Sequence, residues 1–104
     1  MTRPGDFQLL IRSGAEGINR RNDNVDVEVR FKTGEQYIAT FFTLANIVAI
    51  LERYATSGEC KGGLYFWASN MIVVKELSEQ VIRTTIEDLI DHGELEQAFS
   101  RVGG

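Results

Sequence analysis

The sequence predicts a small α+β domain. We expect an antiparallel sheet of four to five strands, built on hairpins over 25–42 and 63–76. Two main helices, over 43–57 and 78–92, and a short C-terminal helix over 94–102 are expected to pack on one face. Three observations carry this expectation. The stretch from Val25 to Lys32 alternates apolar and charged residues with a period of two, the pattern of a strand with one buried and one wet face. Two amphipathic segments each begin at a hydroxyl residue suited to capping a helix, Thr43 and Ser78. Between them lies the most apolar and aromatic ribbon of the chain, Leu64 to Val74, which holds the only tryptophan.

Taken in order, Phe7 to Arg12 reads as a first strand, with Phe7, Leu9 and Ile11 on one face. Ser13 to Asn24 is rich in Gly, Asn and Asp and predicts a loop of about a dozen residues, long enough to be functional or mobile. The Val25–Lys32 strand reverses at Thr33-Gly34-Glu35, where Gly34 can adopt the positive φ that a short hairpin loop requires. Gln36 to Phe42 runs back with aromatics on both faces, which predicts a central position. Thr43 caps the first helix, with Phe42 and Ile47 as a hydrophobic staple. Leu44, Ile47, Val48, Leu51 and Tyr54 or Ala55 supply its apolar stripe. Ser57-Gly58 stops it, and Glu59 to Gly63 is expected to be a flexible link.

Ser69-Asn70 is a turn signal inside the aromatic ribbon. It predicts a hairpin of strands near 63–68 and 71–76; the alternative is one long strand bulged at that dipeptide. Ser78 caps the second helix, stapled by Leu77 and Ile82, with Ile82, Ile86, Leu89 and Ile90 facing inward. His92-Gly93 closes it. Leu95, Phe99 and Val102 are spaced for one face of a short final helix.

The whole chain, 1–104, reads as one domain with a flexible N-terminal segment. A net charge of −4 argues against a nucleic-acid partner, which calls for a basic field. The single cysteine, Cys60, excludes an internal disulfide and suits a reducing, cytoplasmic setting. Nothing near the N-terminus resembles a signal peptide. No stretch approaches the roughly 20 apolar residues of a membrane-spanning helix, so no membrane is expected.

The run Ala39-Thr40-Phe41-Phe42-Thr43, the Gly58-Glu59 stop, the Tyr65-Phe66-Trp67-Ala68-Ser69-Asn70-Met71 stretch and Gly93-Glu94 with Phe99 together resemble a small bacterial family of uncharacterised α+β proteins. The likeness covers about residues 25–102. It implies a bacterial cytosolic protein of the fold just described, and it implies no activity, cofactor or site residue.

No catalytic constellation emerges from the residues. His92 and Cys60 lack the companions of a metal motif or a nucleophile with its base, so no metal, cofactor or enzymatic activity is expected. Asp26 with Glu28, and Glu87 with Asp88 and Asp91, fit solvated faces better than an acid–base pair. The sharpest functional hint is aromatic. If the ribbon alternates across a sheet, Phe66 takes one face while Tyr65 and Trp67 take the other. Trp, Tyr and Arg most often anchor interfaces. Tyr65 and Trp67, with Arg20 and Arg21 of the long loop, are therefore the candidate partner contacts. The competing explanation is a curved sheet that buries aromatics on both faces. The expected partner is a protein or a second copy of the chain. An immunity-type protein neutralising a toxin is one alternative. A small-ligand pocket between sheet and helices, lined by Tyr37, Tyr54, Tyr65, Trp67 and Cys60, is another.

Overall fold

The computed structural model describes residues 7–13 and 17–102. The N-terminal segment to Asp6, the loop positions 14–16 and the Gly103-Gly104 tail lie outside that range. The order is β1 (Phe7–Arg12), β2 (Asn24–Phe31), β3 (Gln36–Thr43), α1 (Leu44–Ser57), α2 (Glu59–Gly63), β4 (Met71–Val74), α3 (Glu79–Asp91), α4 (Leu95–Ala98) and β5 (Ser100–Val102). The protein is α+β with a five-stranded, predominantly antiparallel sheet.

β1, β2 and β3 form an antiparallel meander, with Leu9 opposite Val29, and Val25, Val27 and Val29 opposite Phe41, Ala39 and Tyr37. The hairpin over 25–42 forms as expected. Gly34, at φ 99°, makes its turn, and the Gly34 amide donates to the Phe31 carbonyl at 3.0 Å. The core lies on the face that these valines and Phe41 share. Leu77, Ile82 and Ile86 from α3 and its approach, and Leu95 and Phe99 from the C-terminal segment, close it. The Phe41 and Phe99 rings meet edge to face at 6.1 Å.

The hairpin over 63–76 does not form. Residues 65–68 are not in a strand, and β4 pairs parallel to β3, with Thr40 opposite Met71 and Thr43 opposite Val74. Parallel neighbours need a crossover of a dozen or more residues, and residues 44–70 provide it. The dipeptide Ser69-Asn70 does turn, but from an irregular segment into β4. Asn70, at φ 52°, then joins both halves of β3's second edge. Its carbonyl accepts the Thr40 amide at 3.1 Å, its side-chain amide donates to Ala98, and Ser100 donates to its side-chain oxygen.

The C-terminal helix is shorter than the spacing predicts. It covers Leu95–Ala98, after which the chain extends as β5, antiparallel to Gln36–Ile38. Leu95 and Phe99 keep the helical i, i+4 relation and are both buried. Beyond them, pairing with a free strand edge offers the backbone more than another exposed helical turn. The caps are as expected: Thr43 accepts the Asn46 amide at 3.1 Å, and Ser78 accepts the Val81 amide at 3.1 Å.

The 17–23 part of the loop is anchored. The Leu77 amide donates to the Arg20 carbonyl at 2.8 Å, the Thr43 amide donates to the Asp23 carbonyl at 3.1 Å, and Ile18 packs on the core. Nor is the Glu59–Gly63 link slack. It is a single left-handed turn, with Cys60 and Lys61 at φ 49° and 58° and Gly62 at φ 70°. It sets Gly63 against α1, where a Cβ would stand 2.3 Å from the Leu51 carbonyl oxygen.

Gly58 and Gly63 both have positive φ, yet a Cβ at Gly58 would meet nothing within 4 Å. Gly58→Ala should therefore cost only the conformational penalty, about 1 kcal/mol. Gly63→Ala should cost on the order of 3 kcal/mol, because the backbone must also move. Urea denaturation of the two variants checks this ordering.

Candidate functional site

Of the nine large apolar side chains that the described residues leave exposed, five lie on α1 and the segment returning from it: Leu44, Val48, Leu64, Tyr65 and Trp67. Thr43 starts α1: its hydroxyl is fixed by the Asp23 amide as well as by the cap bond. Gly58 stops it, left-handed at φ 87°, with its amide donating to the Tyr54 carbonyl at 2.8 Å. Between these stops lie fourteen residues of which only Ile50 is buried.

Ile50 is not in the stripe that sequence periodicity selects. It lies roughly 120° around the axis from Leu44 at 100° per residue. Of the selected stripe, Leu44, at 66%, Val48, at 48%, and Ala55 are exposed, while Ile47, Leu51 and Tyr54 are half-buried. α1 contributes no residue to the core cluster. The expectation that both long helices share the core face is therefore met by α3, with α4 beside it, and not by α1.

Leaving α1, the chain runs back beside it. Gly63 lies against the turns holding Leu51 and Ala55, and the Phe66 ring meets Phe42 edge to face at 5.6 Å. Phe42 ends β3 on the face opposite Phe41, so Phe66 roofs that end of the second sheet face. Its neighbours point away: Leu64 is 79%, Tyr65 50% and Trp67 72% exposed. The inward–outward alternation expected of Tyr65, Phe66 and Trp67 thus holds, although no strand imposes it. The same sheet face continues the apolar surface. By strand register, Ile38, Met71, Val73 and Val102 share it, and all four are exposed.

Of the four predicted partner contacts, Tyr65 and Trp67 belong to this surface. Arg20 and Arg21 do not. They border a small cleft with Glu76, and Arg20 is ion-paired to that carboxylate. Leu44, Val48 and Leu64 complete the surface and were not singled out from sequence. Their signal was the breadth of the α1 stripe, wider than one contact face can bury.

The titratable groups are accounted for by structural partners. Glu28 lies on the face opposite the core valines, as expected, but is only 7% exposed because Arg30 and Arg12 cover it, and these guanidiniums keep its carboxyl below the usual range. Arg20 does the same to Glu76. The His92 ring lies 2.9 Å from the Asp88 carbonyl, and this hydrogen bond with the nearby carboxylates raises its pKa. Tyr37 is buried and its hydroxyl lies 3.1 Å from Glu35 and 3.2 Å from Glu96. Burial, then these two acceptors, push it up to about 12.

Two further clefts border β2 and β3. One, of about 640 Å³, lies between Phe7, Gln8, Arg30, Lys32 and Arg83. The other, of about 220 Å³, lies between Tyr37, Ile90, Leu95 and Glu96. Neither brings Tyr37 together with Tyr54, Tyr65, Trp67 and Cys60. Among the described residues no three His, Cys, Asp or Glu side chains are grouped as metal ligands, and no helix is long and apolar enough to cross a membrane. No family model matches the chain, and no curated protein or solved structure matches it either.

The Tyr37 phenol is favoured in its neutral form by the fold. Its stabilising contribution is complete below the unfolded-state value near pH ~10 and is lost as pH rises toward 12. Alkaline unfolding followed by circular dichroism should fall less steeply in this window for Tyr37→Phe than for the wild type. Equal slopes would contradict a buried neutral phenol.

Proposed function

We propose that this chain is a non-enzymatic binding protein that docks a protein partner on the apolar surface of α1 and residues 64–67. The observation that carries the proposal is the exposure of Trp67 beside Leu64 and Tyr65. A small domain that leaves its one tryptophan and two large neighbours in water forgoes a substantial hydrophobic gain, since aromatic side chains bury roughly 150–250 Å² each. Contiguous exposed apolar patches of this kind mark interaction sites, and Trp and Tyr are the residues that most often dominate interface energies. The lowered carboxyl groups of Glu28 and Glu76 are explained by their arginine partners and so point to no catalytic acid. The setting we propose is the reducing cytoplasm, on the single cysteine.

A second reading, an immunity-type protein neutralising a basic toxin, is favoured by one observation. Glu87, Asp88, Asp91, Glu94 and Glu96 crowd the C-terminal end of α3, where the helix dipole disfavours anions, and the last turn holds no basic residue.

Trp67 is the only tryptophan, so its fluorescence reports on this surface alone. At high dilution its emission should be red-shifted and readily quenched by acrylamide, and it should shift to the blue once the surface is covered. Blue-shifted, quencher-resistant emission in the dilute chain would contradict the docking surface.

A further inference from the structure

Independently of the α1 surface, we propose that the cleft of about 640 Å³ at the Phe7 end of β1 binds a small organic phosphate monoester. Three cations line it, Arg30, Lys32 and Arg83, and among the described residues no carboxylate does. That concentration of positive charge stands out in a chain with 15 acidic and 11 basic side chains.

The cations come from three elements. Arg30 lies on β2, on the face away from the core, where strand register sets it between Gln8 of β1 and Gln36 of β3. These three side chains form one row across the sheet, and all border the cleft. Each carries N–H donors, so the two carboxamides extend the donor row on either side of the guanidinium. Lys32 enters from the hairpin turn, and Arg83 enters from α3 on the core side of the strands.

The fold holds two of these cations in place. The Arg30 Nε donates to Glu28 at 2.5 Å, and Glu28 is buried. Burying a carboxylate costs stability unless it is paired. Glu28 also accepts from Arg12 at 3.2 Å, so the trio keeps a net positive charge. With Nε committed to Glu28, the terminal nitrogens of Arg30 have no partner among the described residues. The Arg83 guanidinium lies 5.2 Å over the Phe7 ring, and its ion pair with exposed Glu79 is loose at 3.8 Å. Lys32 is exposed and has no ion pair among the described residues.

Chemistry and size select the ligand. Guanidinium forks match the oxygens of phosphate. Three cations are balanced better by a monoester, which carries roughly −2, than by a carboxylate or a phosphodiester with a single charge. The cleft holds roughly twenty water volumes, so a bare ion would leave most of it empty, and its size suits a small molecule. Half-buried Leu9 and Phe31 supply an apolar wall for the rest of the ligand.

Titration of the full chain with phenyl phosphate at about pH 8, where the monoester is fully ionised, tests the proposal through backbone amide resonances. Saturable shifts should centre on Gln8 and residues 30–34. The double variant Lys32→Gln/Arg83→Gln changes side chains outside the core and should keep the wild-type circular dichroism spectrum, yet bind about a hundredfold more weakly. Arg53→Gln, on the exposed side of α1, should bind as the wild type does. Methyl phenyl phosphate, with one charge, and inorganic phosphate, without the ring, should each bind at least about tenfold more weakly than phenyl phosphate. The absence of saturable shifts overturns the proposal, as do shifts that survive the double variant or an equal loss in Arg53→Gln. Inorganic phosphate binding as tightly as phenyl phosphate would leave only an ion site and overturns it too. So does a single-stranded oligonucleotide that binds there more tightly, which would give the cleft to nucleic acid.

Discussion

The hydrogen-bonding of β3 is the constraint from which the rest of the molecule follows. One edge is occupied by β2. The other is divided, with β4 on its C-terminal half and β5 on its N-terminal half. Asn70 ties the two halves together, bonding to β3, to the end of α4 and to Ser100. A central strand satisfied on both edges leaves little buried backbone unpaired. It also dictates that the chain leaving β3 at Thr43 must return parallel to it, so residues 44–70 must make a crossover.

That crossover divides the apolar residues into two systems. Phe41 and the β2 valines face α3, α4 and Phe99, and that system is closed. Phe42 faces the other way, is buried, and meets the Phe66 ring edge to face. α1 therefore rests on the domain through Ile50, with Ile47, Leu51 and Tyr54 half-buried, while Leu44 and Val48 stay exposed. The return segment holds this arrangement in place at Gly63, where backbone packs on backbone. The left-handed turn before it places two non-glycine residues in a conformation that costs each of them roughly 1–2 kcal/mol. The domain tolerates this cost to bring the aromatic segment alongside the helix.

Much of the fold was legible in the sequence because it is written locally. The alternation from Val25, the glycine at 34 and the hydroxyl caps at Thr43 and Ser78 each fix geometry within a few residues, and all are realised. The partner of a strand is not written locally. Met71 to Val74 reads as an apolar strand after a turn, and nothing in its periodicity tells a hairpin from a parallel crossover. The ends of elements suffer likewise: Leu95 and Phe99 predict one helix, yet Ser100 to Val102 answer to the vacant edge of β3. Gly63 looked like slack because glycine permits both flexibility and close approach, and only the position of Leu51 distinguishes them.

The binding surface was half legible. Tyr65 and Trp67 were identified by the alternation around Phe66, which the Phe42 contact enforces without a strand. Arg20 was misplaced, because its partner Glu76 is distant in sequence and adjacent in space. The role of Leu44 and Val48 was hidden by a sound rule applied too simply. An apolar stripe marks the face a helix buries, but not what it buries that face against. The central claim is that the chain covers only part of α1 by itself. Hydrogen exchange read by mass spectrometry at high dilution addresses it most directly. We expect the amides of α1 to exchange much faster than those of β2 and β3. Protection of α1 equal to that of β3 at high dilution would contradict the account.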